Sequence, residues 1–87
     1  HELERYDEAI KCFDRALAIS PKHINALNNK GASLDKLGRH DEAIECYDKT
    51  ISIDPNNVDA YYNKGLSYFQ LPRYNEAIEY FDRVLDI

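Results

Sequence analysis

The chain has 87 residues, 44% hydrophobic and 31% charged, a folded rather than a disordered composition. Its formal charge of −5 argues against a phosphate backbone as partner, because nucleic-acid binding needs a basic surface. No apolar run is long enough for a membrane span, no signal or transit peptide is recognisable, and two cysteines give no disulfide framework.

In chain order, Tyr6, Ala9, Ile10, Phe13, Ala16 and Leu17 recur at spacings of three and four, which predicts an amphipathic helix over 5–19. Ser20-Pro21 stops it. Leu27, Gly31, Leu34 and Leu37 predict a second helix over 24–37, with Gly38 placed for a left-handed cap. Ala43, Ile44, Tyr47 and Ile51 predict a third over 40–53, ended by the turn Asp54-Pro55-Asn56-Asn57. Tyr61, Gly65, Tyr68 and Leu71 predict a fourth over 58–71. Tyr74, Ala77, Ile78, Phe81 and Leu85 predict a fifth over 74–87. Pro72 stands where Gly38 stands one repeat earlier and cannot take the left-handed conformation, so the last turn at Leu71 is expected to differ from that at Leu37.

The chain matches itself at a shift of 34 residues. Residues 24–53 and 58–87 agree at 13 of 30 positions, and residues 1–23 and 35–57 at ten of 23. A fixed period of this size marks a stacked helical array. Leu27, Gly31, Leu34, Ala43, Tyr47 and Thr50, followed by Pro55, recur as Tyr61, Gly65, Tyr68, Ala77, Phe81 and Val84, without the proline. Ala9, Phe13, Ala16 and Pro21 supply the second half of one more unit. In this pattern the chain resembles the tetratricopeptide repeat family over nearly its whole length. The resemblance implies an all-α fold of antiparallel helix-turn-helix repeats, five helices stacked as a right-handed superhelix whose concave groove binds proteins. The register divides the chain into the second half of a repeat (1–23), a full repeat (24–57) and a nearly full one (58–87), as in a piece of a longer array.

Gly31 and Gly65 each cost a helix about 1 kcal/mol against Ala. Their recurrence predicts a close approach within each hairpin, small residue against small, with Ala43 and Ala77 opposite. Lys30 and Lys64 lie on the stripe of Leu27/Leu34 and Tyr61/Tyr68, where an ammonium needs a carboxylate. Asp14, Asp48 and Asp82 also recur, which predicts the pairs Lys30–Asp14 and Lys64–Asp48 across the repeat boundaries, with Asp82 left over.

No catalytic constellation is visible. Glu8, Glu42 and Glu76 recur at helix starts, where acids suit the dipole. His1, His23, His40, Cys12 and Cys46 have no metal-ligand spacing, so no metal, cofactor or enzymatic role is expected. Unpaired cysteines and the lack of a targeting signal are read as a cytoplasmic location.

By the family's register, the groove residues are Asn25, Asn28, Asn29, Ala32 and Lys36, then Asp59, Tyr62, Asn63, Leu66, Phe69 and Gln70. The helices at 24–37 and 58–71 carry +1 and 0, and the others −1, −2 and −2, so the acidity falls on the convex side. An Asn amide can bond both groups of an extended backbone, or only satisfy local polar groups. Some family members grip carboxylate-ended chaperone tails with a cationic clamp. Here its positions hold Asn25, Asn28, Asp59, Tyr62 and Asn63, with only Asn29 fitting, so that specificity is not expected of this segment. The expected function is a protein-binding scaffold for a peptide or helix. The alternative is self-assembly into a homo-oligomer through an uncapped end formed by Tyr74, Ile78, Phe81 and Leu85.

Overall fold

The computed structural model describes residues 2–86. Five helices follow one another: α1 (Glu2–Ile19), α2 (Ile24–Lys36), α3 (His40–Ile53), α4 (Val58–Gln70) and α5 (Tyr74–Asp86). Each packs antiparallel on the next, giving an all-α array of stacked hairpins. In addition α2 approaches α4, while among the described residues no Cα of α1 comes within 8 Å of one in α3, nor one of α3 within 8 Å of one in α5. The array therefore curves, with α2 and α4 on the inner side and the acidic helices α1, α3 and α5 spread along the outer.

The caps follow from local chemistry. His23 and Asn57, equivalent in the repeat, take extended conformations and accept the Ala26 and Ala60 amides through Nδ1 (3.1 Å) and Oδ1 (2.9 Å). Gly38 has φ +80°, and the Arg39 amide reaches back to the Leu34 carbonyl at 2.9 Å. At the next turn Pro72 keeps a negative φ, yet the Arg73 amide reaches the Tyr68 carbonyl at 2.6 Å. The expected difference falls one residue past Leu71, where Pro72 lacks the positive φ of Gly38 and the bond from the Gly38 amide to Asp35; Leu71 itself (φ −79°, ψ 4°) matches Leu37 (φ −84°, ψ −1°). The closing bond uses the amide after the proline, so losing the proline N–H leaves it intact.

The two helical glycines meet aromatic rings, not the small residues expected. A Cβ on Gly31 would lie 2.5 Å from Tyr47 Cε1, and one on Gly65 would lie 2.6 Å from Phe81 Cε1. Each hairpin closes by laying a ring of its second helix on the bare backbone of its first. Ala43 and Ala77 are buried, with Ala43 in the core cluster of Ile10, Leu34, Cys46, Tyr47 and Ala60. That cluster draws on α1 to α4 and lies at the junction of the hairpins.

The expected ion pairs are formed. Lys30 Nζ lies 2.7 Å from Asp14 and Lys64 Nζ 2.5 Å from Asp48. Each links a first helix to the second helix of the preceding repeat. Lys64 is buried, 4.3 Å from the centroid of the Tyr80 ring, which itself stacks on Tyr68 at 5.5 Å. Arg39–Glu42 and Arg73–Glu76 are exposed pairs within the first turns of α3 and α5 and contribute little.

The rings differ in how far they can give. Tyr47 is fully buried and held by a hydrogen bond, whereas Phe81 is half-buried and has none. Overpacking costs about 1–3 kcal/mol where the neighbour cannot move. Gly31→Ala is therefore expected to lower the melting temperature by several degrees, about 4–8 °C per kcal/mol lost. Gly65→Ala is expected to lower it less, because Phe81 can swing outward. Thermal melts of the two variants, followed by circular dichroism, check that order.

Candidate functional site

The inner face between α2 and α4 carries an open cleft of about 470 Å³. From the first of these helices come Ala32, Asp35 and Lys36; from the second, Asn63, Leu66 and Gln70. Gly38, His40 and Tyr47 complete the lining. Ala32, Lys36, Leu66 and Gln70 are exposed on its walls, and Asn63 is half-buried. The cleft thus offers an amide pair, one ammonium and an apolar patch to solvent.

Five of the eleven residues expected in the groove line this cleft: Ala32, Lys36, Asn63, Leu66 and Gln70. Asn25, Asn29 and Asp59 are exposed but outside it. Tyr62 and Phe69 are exposed too, with Phe69 edge-on to Tyr74 at 5.2 Å and Tyr62 at 5.8 Å from Phe81. Asn28 is placed differently. Its Nδ2 donates to Asn57 Oδ1 at 3.3 Å, which ties α2 to the cap of α4. Its amide serves the joint between repeats, the local role that competes with ligand binding.

Of the residues expected at the uncapped end, Tyr74, Ile78 and Leu85 are exposed. Phe81 departs from the expectation: it is half-buried, with its ring on Gly65, because the hairpin itself uses it.

The floor of the cleft is a polar hub that sequence reasoning missed. The Asp35 carboxylate accepts from Tyr47 Oη at 2.8 Å and from Ser67 Oγ at 2.8 and 2.9 Å, and lies 2.8 Å from His40 Nδ1. Tyr47 and Ser67 are each 1% exposed and Asp35 is half-buried, so these largely buried bonds join α2, α3 and α4. A signal for it exists in the repeat. Asp35, His40 and Tyr47 become Phe69, Tyr74 and Phe81 one unit later, three positions changing from polar to less polar together.

Burial, reinforced by Asp35, pushes the Tyr47 phenol far above its ordinary value. The hydrogen bond to Asp14 raises Lys30, against a smaller desolvation. For Lys64, burial opposes the charge, but hydrogen bonds to Asp48 and Tyr80 outweigh it and the net shift is upward. Burial also raises the Cys46 thiol, which makes it a poor nucleophile; Cys12 is exposed. Among the described residues no group of His, Cys, Asp and Glu could hold a metal ion, and no helix is long and apolar enough to cross a membrane.

A family model described as TPR repeat matches residues 1–38 and 36–72, and one described as tetratricopeptide repeat matches 58–87. The chain belongs to the tetratricopeptide repeat family. Members of this family commonly mediate protein–protein interaction. Among solved structures, it is 36% identical to a crystal structure of MamA, with a TM-score of 0.89 over 98% of this chain and 50% of that one. A second MamA structure is 38% identical, with a TM-score of 0.88 over 93% of this chain and 44% of that one. The chain thus spans about half the length of the MamA chains it resembles. The second TPR of Spaghetti (RPAP3), bound to the HSP90 peptide SRMEEVD, is 26% identical, with a TM-score of 0.86 over 92% of this chain and 74% of that one. No curated protein sequence matches the chain.

Two outcomes follow for the hub and the buried lysines. Asp35→Ala leaves the Tyr47 hydroxyl and His40 without this partner, while Ser67 keeps the Asn63 carbonyl at 3.1 Å, and is expected to cost about 3 kcal/mol in urea melts, against about 1.5 kcal/mol for Tyr47→Phe. The folded state also holds the Tyr47, Lys30 and Lys64 protons more tightly than the unfolded chain does. Their contribution is therefore complete at neutral pH and lost as pH climbs past the ordinary values of 10.0 and 10.5. Urea midpoints measured from pH 7 upward are expected to stay level on account of these groups and then fall in the alkaline range, less steeply in Tyr47→Phe.

Proposed function

We infer that the chain is a protein-interaction module that takes a peptide segment across the cleft between α2 and α4. The observation that carries this reading is the composition of an open surface. Asn63, Leu66, Lys36 and Gln70 face one 470 Å³ cleft. None of these four belongs to the core cluster, which meets the cleft only through Tyr47. An amide beside an apolar patch can bond a ligand backbone while Leu66 and Ala32 bury one of its side chains.

The peptide held by the RPAP3 repeat carries the acidic end EEVD. The cleft here offers Lys36 as its ammonium and has the Asp35 carboxylate at its floor. Asp59 adds a further negative charge on the same helix as Asn63. The charge balance favours an uncharged or mildly mixed segment with a large apolar side chain over a cluster of acids.

A displayed random-peptide library selected on the 87-residue chain tests the reading. Recovered peptides are expected to bind the Asn63→Ala, Leu66→Ala double variant at least about tenfold more weakly. Its circular dichroism is expected to be unchanged, since Leu66 is exposed and Asn63 half-buried. Peptides that bind this variant and the parent equally would overturn it.

A further inference from the structure

The outer side of the array carries a second hollow, separate from the cleft between α2 and α4. It lies where α1 and α3 stand apart, holds about 360 Å³ and shares no lining residue with the cleft. Ile10, Leu34 and the Cys46 thiol form its apolar floor, and all three are buried. Charged side chains ring it, among them the pairs Lys30–Asp14 and Arg39–Glu42. An apolar floor within balanced charges admits an uncharged group better than an ion.

The internal repeat shows what such a hollow holds when it is full. One unit later the charged frame is the same: Asp48–Lys64 and Arg73–Glu76 take the places of Asp14–Lys30 and Arg39–Glu42. The floor differs, because Leu34 becomes Tyr68 and Cys46 becomes Tyr80. The two phenol rings lie face to face, 5.5 Å between centroids and 11° from parallel, and Lys64 Nζ sits 4.3 Å from the Tyr80 ring centroid. Arg83, the equivalent of Lys49, lies 5.7 Å over the same ring. Tyr80 thus covers its lysine. The Lys64 side chain is 10% exposed, and that of Lys30, with a thiol at the matching place, 27%. The first copy keeps the cations of this site and lacks the ring.

We propose that the outer hollow over Cys46 binds a tyrosine side chain of a separate partner protein, in the place that Tyr80 fills one repeat later. Its ring lies on Leu34 and Cys46 and beneath the Lys30 ammonium, with Lys49 at its edge in the position of Arg83. Tyrosine suits the site better than leucine, because only a π face attracts the two cations. It suits it better than an acidic residue, because Asp14, Glu42 and Glu45 border the hollow. The chain's own rings are poorer occupants. Its two exposed tyrosines, Tyr62 and Tyr74, already pack on Phe81 and Phe69 of the same molecule. The hollow and the cleft are independent, so the module can engage a partner at two points at once.

N-acetyl-tyrosinamide titrated into the isotope-labelled 87-residue chain tests this by NMR chemical-shift perturbation. Saturable shifts are expected at Lys30, Leu34, Cys46 and Lys49, with a millimolar Kd, and N-acetyl-leucinamide is expected to bind at least about threefold more weakly. Lys30→Gln, at a half-buried position, is expected to weaken the tyrosine probe about threefold. Cys46→Tyr supplies the ring from within and is expected to remove the site. The reverse change, Tyr80→Cys with Tyr68→Leu, is expected to open a second site beneath Lys64. Circular dichroism verifies the fold of each variant, and Lys30→Gln keeps the test decisive should a ring exchange unfold the chain. Asn63→Ala with Leu66→Ala is expected to leave probe binding unchanged, which separates this site from the cleft. The proposal is overturned by absence of saturable shifts, by equal binding of the tyrosine and leucine probes, by a folded Cys46→Tyr variant that binds as the parent does, or by loss of binding in the cleft variant. Sedimentation showing a dimer that Cys46→Tyr dissolves would place a second copy in the hollow and overturn it as well.

Discussion

The structure depends on an aromatic ring lying on bare helix backbone. Tyr47 sits on Gly31 and Phe81 on Gly65, both closer than any Cβ at the glycine would allow. The contact fixes how near the two helices of a hairpin come, and so where the outer surface of that hairpin lies for the next one. In the first complete hairpin the ring has a second function. Its hydroxyl reaches Asp35, and Asp35 reaches Ser67 on α4, so one side chain closes its own hairpin and anchors the following one. The Lys64–Asp48 pair and the Asn28–Asn57 bond hold the same junction at other points along α4.

This junction shapes the candidate binding surface. With α2 drawn to α4 and the outer helices kept apart, the faces bearing Ala32, Lys36, Asn63 and Leu66 turn toward one another across an open cleft. The cleft walls are not required for packing, so their chemistry is free to serve recognition. Its floor is the Asp35 hub, which is required. Substitutions at the walls should therefore act on binding and substitutions at the floor on folding.

Much of this was legible in the sequence, for a definite reason. Repetition reports most positions more than once: the helix bounds at 24, 40, 58 and 74 and both Lys–Asp pairs follow from matching residues 34 apart, and the Gly38 cap from a glycine just past its helix. What escaped is what the repeats do not share. Asp35, His40 and Tyr47 form a site together only in one copy, and their serine lies 32 residues from Asp35, beyond any local pattern. Asn28 sits in a groove position by register, but Asn57 is close enough to claim its amide, a tertiary fact that spacing does not contain. Gly31 and Gly65 announced a close approach without naming the partner. Alanine and the aromatic residue lie on the same helix one turn apart, and the ring, being longer, reaches the gap. At Leu71 the rule that proline cannot replace a left-handed glycine held, yet the turn closed through the next amide.

Native-state hydrogen exchange, resolved by residue, tests the central claim that the junction of α2, α3 and α4 is the stable spine of the array. The account predicts the slowest amides in α3 and in the facing turns of α2 and α4, opening together at the global unfolding free energy, with α1 and α5 exchanging through smaller openings. Equal protection in α3 and α5, or the two hairpins opening independently of each other, would contradict it.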